Sequence, residues 1–154
     1  MKNNAKNPTV PADRHVLRRT SSAAVAAMPR LLLVDVSKPM RRLLVKMLKK
    51  SAPDILVAVA GSVAEAVRVF DALRPKTILL SLELPDGSGL EVLRHAMALD
   101  PYCMIVVLAR RADVKTRLEC FEEGADFVFD KSSDFERAIA TAEKASRRQT
   151  ARSP

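Results

Sequence analysis

Few residues of this chain have the type and spacing to do chemistry, and they fall at the ends of apolar runs. Asp35 follows the run Leu31 to Val34 and precedes Val36 and Ser37; Ser81 and the segment to Asp86 follow Thr77 to Leu80. Ala109 and Arg110 follow Met104 to Leu108, and Asp130, Lys131 and Ser132 follow Phe127 to Phe129. Asp35, flanked by the apolar Val36, is the one carboxylate directly after the first run. Cys103 and Cys120 belong to no CxxC or Cys/His metal spacing, and a redox role for Cys120, beside Phe121, has no support. His95, next to Arg94, reads as a surface histidine. Glu83 could replace a carboxylate near Ser81, but a loop acid at that place reads as solvent-facing. Ser37-Lys38-Pro39 stands where a phosphate-cradling glycine loop would follow a first strand, which disfavours a cofactor-binding enzyme.

The elements that must position these residues alternate in period. The five runs, at Leu31 to Val34, Ile55 to Ala60, Thr77 to Leu80, Met104 to Leu108 and Phe127 to Phe129, are apolar at consecutive positions, as in strands covered on both faces. Between them, Met40, Leu43, Leu44, Met47 and Leu48 recur at helical spacing, as do Val63, Ala66, Val67 and Phe70. Leu90, Leu93 and Met97 mark a third helix, Val114, Leu118 and Phe121 a fourth, and Phe135, Ile139 and Ala142 a fifth. Ser37 before Pro39, Ser62 with Glu65 and Ser133 with Glu136 signal helix starts. The order (βα)5 predicts a doubly wound, parallel five-stranded α/β sheet of flavodoxin-like topology, with ligand chemistry at the C-terminal strand ends.

Charge divides the 154 residues unevenly. Lys and Arg number 26 against 18 Asp and Glu, for a net charge of +8. Residues 1–29 carry five bases and one acid, residues 144–154 four bases and no acid, and the span between is balanced. The expected organisation is a disordered basic arm at 1–29, a folded domain at 30–146 and a disordered basic tail at 147–154. Met28 is an alternative translation start. With two cysteines and no run near 20 apolar residues, the expectation is a cytoplasmic protein without a membrane anchor.

The chain resembles the receiver domains of bacterial response regulators. The matching residues are Leu31-Leu32-Leu33-Val34-Asp35, the segment Leu84-Pro85-Asp86-Gly87-Ser88-Gly89-Leu90-Glu91, Glu123-Gly124-Ala125-Asp126, and Lys131. The resemblance implies a module that takes a phosphoryl group from a histidine kinase onto an Asp after the third strand. It implies Mg2+ on an acid pair after the first strand, a Ser or Thr after the fourth and a Lys after the fifth. Here the phosphoacceptor position is Ser81, the acid pair is Asp35 and Val36, and the phosphate contacts are Ala109 and Lys131. Val128 holds the place of the family's aromatic switch, and Ser132 that of the proline after the lysine, so a trans bond is expected there.

The expectation is a degenerate receiver: a stand-alone, non-enzymatic module of two-component phosphorelay signalling, unable to accept phosphate on Asp, with Mg2+ binding weak or absent and Asp35 and Lys131 forming a salt bridge in a vestigial pocket. With no room for an output domain after Ser146, its output is contact with a kinase or another regulator. Self-association would use the fourth helix, fifth strand and fifth helix. Lys38, Arg41, Arg42, Lys46, Lys49 and Lys50 form a basic docking face on the first helix. The alternative is a basic nucleic-acid-associated protein using its tails and that helix. One Tyr, no Trp and five Phe, mostly at core positions, weigh against it.

Overall fold

A computed structural model describes residues 28–152. Five strands form one parallel sheet: β1 (Arg30–Val34), β2 (Leu56–Ala60), β3 (Thr77–Ser81), β4 (Met104–Ala109) and β5 (Phe127–Asp130). Five helices follow them in turn: α1 (Lys38–Ser51), α2 (Val63–Leu73), α3 (Gly89–Leu99), α4 (Val114–Glu122) and α5 (Phe135–Arg152). The spatial order is β2-β1-β3-β4-β5, which confirms the (βα)5 reading and puts the reversal of winding beside β1 and β3.

Alternation along the strands divides the core in two. Leu31, Leu33, Leu79, Val106 and Leu108 meet Leu44 and Leu48 of α1 and Ala138, Ile139 and Ala142 of α5. Leu32, Val34, Ile78, Leu80, Ile105 and Val107 face the other way, onto Ala66 and Phe70 of α2, Leu93 and Ala96 of α3 and Cys120 of α4. Burial is complete only in the middle of the sheet, since the edge strands β2 and β5 are partly exposed. The expectation of five fully covered strands holds for the central three.

Helix starts follow side-chain chemistry. Ser37 Oγ accepts from Met40 N at 3.2 Å, Ser62 Oγ from Glu65 N at 3.1 Å, and Asp113 Oδ1 from Thr116 N at 2.8 Å. A reciprocal capping box stands at Ser88 and Glu91. α5 begins at Phe135, and the carbonyl of Asp134, not of Ser133, accepts from Ala138 N.

Two corrections concern helix faces and ends. On α4 the periodic residues face solvent: Val114, Leu118 and Phe121 are 74%, 55% and 46% exposed, while Cys120 is buried. Periodicity defines a stripe without saying which way it points, and here Arg117 turns inward, its Nε donating to Ala112 O and its Nη1 to Val128 O. At the C-terminus, α5 continues through Ser146 to Arg152, so the expected tail from 147 is helical over most of its length. Arg147 secures that extension by pairing with Asp54 at 3.1 Å. The expected arm at 1–29 lies outside the described residues except for Met28 and Pro29.

Candidate functional site

The C-terminal ends of β1, β3 and β5 bring Asp35, Ser81 and Lys131 together. Asp35 is fully buried, and each carboxylate oxygen is engaged. Oδ1 accepts from Ser37 N at 2.8 Å; Oδ2 accepts from Ser81 Oγ at 2.6 Å and from Lys131 Nζ at 2.5 Å. Lys131 Nζ also reaches Ser81 Oγ at 3.3 Å. The expected salt bridge therefore exists as a three-membered network, with the Ser81 hydroxyl as its third corner.

Local folding fixes each corner. Ser37 caps α1 while its backbone N–H holds Asp35, so the turn that starts the helix also orients the acid. Gly89 allows α3 to start against the end of β3: a Cβ there would lie 2.4 Å from Ser81 O. Lys131 N donates to Ala109 O at 2.8 Å, placing the lysine over the pocket, and its peptide bond to Ser132 is trans as expected.

Electrostatics favour the ionised form of Asp35. Burial pushes the Asp35 carboxyl up, and this is its largest single influence; the hydrogen bonds from Lys131, Ser81 and Ser37 N, with the lysine charge, together outweigh it and hold the pKa below the ordinary value. A carboxylate saturated in this way has little left to offer a cation. The side chain next to it, Val36, is apolar and 47% exposed. Beside the pair lies a built-in cation: Arg41 Nη1 donates to Asp35 O at 2.6 Å and to Val36 O at 3.2 Å, and its guanidinium packs over Gly61, where a Cβ would come within 2.7 Å. The donor set does not fit Mg2+. Among the described residues no group of three or more His, Cys, Asp or Glu side chains could hold a metal.

The remaining candidates separate from this network. Glu83 is exposed and turns to Arg110, its Oε1 accepting from the Arg110 backbone N–H at 3.1 Å. Ala109 is buried and lines a shallow cavity of ≈ 230 Å³ with Leu82, Glu83, Arg110, Arg111 and Thr116, which does not include Asp35 or Ser81. Val128 is buried in β5. Asp86 has a structural role: its carboxylate accepts from Val63 N at 2.7 Å and Ala64 N at 3.0 Å, tying the loop after β3 to the start of α2. His95 is half-buried and has a partner, its Nε2 lying 2.7 Å from Asp71 Oδ1, a contact between α2 and α3 that the sequence did not signal. Both cysteines are buried; burial pushes the Cys103 thiol up to about 12 and the Cys120 thiol upward, so neither is a reactive thiolate.

The fold and the placement of Asp35, Ser81 and Lys131 at its switch point define a receiver-type module. The response regulator receiver domain family matches residues 31–143, and the chain belongs to that family. It is similar to the chemotaxis protein CheY of Listeria monocytogenes, 28% identical over 120 residues, which cover 78% of this chain and 100% of that one. It is also similar to the transcriptional regulatory protein TrcR of Mycobacterium tuberculosis, 33% identical over 111 residues, covering 72% of this chain and 42% of that protein. Among solved structures, the response regulator domain of Thermotoga maritima CheB matches with a TM-score of 0.66 and 26% identity over 82% of this chain and 99% of that one. A Francisella response regulator receiver domain matches at 0.71 and 16% identity, over 79% and 98%. The chain is thus a receiver domain of two-component signalling. No helix among the described residues is long and apolar enough to cross a membrane.

Proposed function

We propose that this receiver works without phosphorylation, as a non-enzymatic docking module whose acceptor pocket is permanently filled. The observation that carries this reading is the network Asp35–Ser81–Lys131. In a working acceptor site a carboxylate nucleophile attacks phosphorus, while a metal and a lysine neutralise the transferring group. Here the nucleophile position is a hydroxyl that donates its hydrogen bond to Asp35, and the lysine is already paired. A serine hydroxyl cannot form an acyl phosphate, and Ala109 offers no hydroxyl to follow the phosphoryl oxygens.

Output then rests on surface contacts with a kinase or another regulator. The outward stripe Val114, Leu118 and Phe121 on α4, with Phe127 exposed on β5, is the apolar surface best suited to such contact, or to a homodimer through α4, β5 and α5. Mg2+ should leave the protein unchanged. The test is thermal unfolding with and without millimolar Mg2+: an unchanged melting temperature supports the reading, and a rise of several degrees, reporting a bound cation, overturns it.

A further inference from the structure

The fold sorts charge in a way the linear sequence conceals. α1 and α5 lie on the same face of the sheet and together carry eleven bases and two acids; α2, α3 and α4, on the other face, carry four bases and five acids. Within α1, Lys38, Arg42, Lys46 and Lys50 stand at i, i+4, i+8 and i+12, all four exposed, and none forms an ion pair among the described residues. Arg41 is excluded from this row because its guanidinium is turned onto Asp35 and Val36, and Lys49 donates to Ile55 O.

A row of like charges at i, i+4 destabilises a helix in isolation, and α1 has no acid to offset it. The helical rise separates successive cations by about 6 Å along the axis, so the ladder is an evenly spaced row that winds by about 40° at each step. Protein interfaces are depleted in lysine and anchored by buried aromatic residues. The outer face of α1 holds no aromatic side chain; its exposed apolar residues are Pro39 and Leu43. Even spacing, lysine content and the absence of anchors fit a polyphosphate backbone better than a protein surface. The scarcity of Trp and Tyr argues against stacking on single-stranded bases, but a duplex is bound through its phosphates. The surface also has an extension. α5 brings Lys144 and Arg148 alongside, Arg147 being paired with Asp54, and Ser51 Oγ of α1 donates to Glu143 Oε2 at 2.8 Å.

We propose that the cationic ladder of α1, extended by α5, docks on the phosphate backbone of duplex nucleic acid without reading its sequence. The test is fluorescence anisotropy of the full chain with a labelled duplex of about 20 base pairs and arbitrary sequence across a salt series. Four phosphate contacts give a log–log salt slope of about −3.6 from the ladder alone, a loss of roughly 100-fold between 50 and 200 mM salt. Replacing Lys38, Arg42, Lys46 and Lys50 together by Gln should flatten the slope by about that amount and lower affinity at low salt by at least roughly 10-fold. The melting temperature should hold or rise as the like-charge pairs vanish. Neutralising Arg68, Arg94 and Lys115 on the opposite face should leave binding intact. The proposal is overturned if the wild type does not bind duplex at 50 mM salt, or if the ladder variant binds as well as the wild type, which would assign binding to the chain ends. It is equally overturned if polyglutamate or phosphatidylserine vesicles bind through the ladder while duplex does not.

Discussion

The pocket at the ends of β1, β3 and β5 and the outer face of α4 are opposites. In the pocket the Asp35, Ser81 and Lys131 side chains are all hydrogen-bonded and only Lys131 is partly exposed; on α4 three large apolar side chains stand about half or more in water. In a receiver that works by phosphorylation, the chemistry would sit in the pocket and the surface would follow it. Here the pocket has become part of the core. What remains open to a partner is surface, and the function proposed above lies there, away from the strand ends.

The contrast can be broken most strongly at Lys131. Lys131→Met leaves the buried Asp35 carboxylate without its counter-charge, and the expected loss is about 3 to 5 kcal/mol of unfolding free energy by urea titration. A loss under about 1 kcal/mol would mean that the network is incidental. Ser81→Ala removes one hydrogen bond to a charged acceptor while the lysine stays, so the expected loss is smaller, about 1.5 to 3 kcal/mol.

The pH dependence of stability sharpens the same point. Asp35 titrates below its ordinary value in the folded protein, so its contribution is complete above the ordinary carboxylate range and is lost as pH falls through the lower folded value. Stability curves of the wild type and Asp35→Asn measured from neutral pH into acid should therefore converge as the pH drops; a gap that stays constant would show that Asp35 is not held ionised by its neighbours.

The smallest expected effect on stability comes from the other region. Phe121→Asp on α4 should change unfolding free energy by no more than about 1 kcal/mol, because nearly half of the ring is exposed. The same change should lower any concentration-dependent self-association seen by sedimentation, and a large destabilisation would show that the ring is packed after all.

Much of this was legible in the sequence because it depended on local pattern. Consecutive apolar residues placed all five strands to within one residue at each end; strand ends narrowed the site to a few short segments, and the receiver resemblance singled out Asp35, Ser81 and Lys131 within them. What escaped depended on direction or distance. The stripe Val114, Leu118, Phe121 was visible, but its orientation is set by Arg117 and Cys120 turning inward. The partnership of Asp71 with His95 depends on how α2 and α3 pack against each other. Arg41 looked like one more surface base until Gly61, on a neighbouring loop, left room for its guanidinium. The α1 part of the basic layer was read from the sequence, but its extension by α5 exists only once the two helices reach the same face.

The central claim is that the pocket cannot take a phosphoryl group. Incubation of the full chain with acetyl phosphate and Mg2+, followed by intact-mass measurement before and after hydroxylamine, tests it directly. The account predicts no added phosphoryl mass; a hydroxylamine-labile adduct mapping to Asp35 or to any other carboxylate of the strand ends would contradict it.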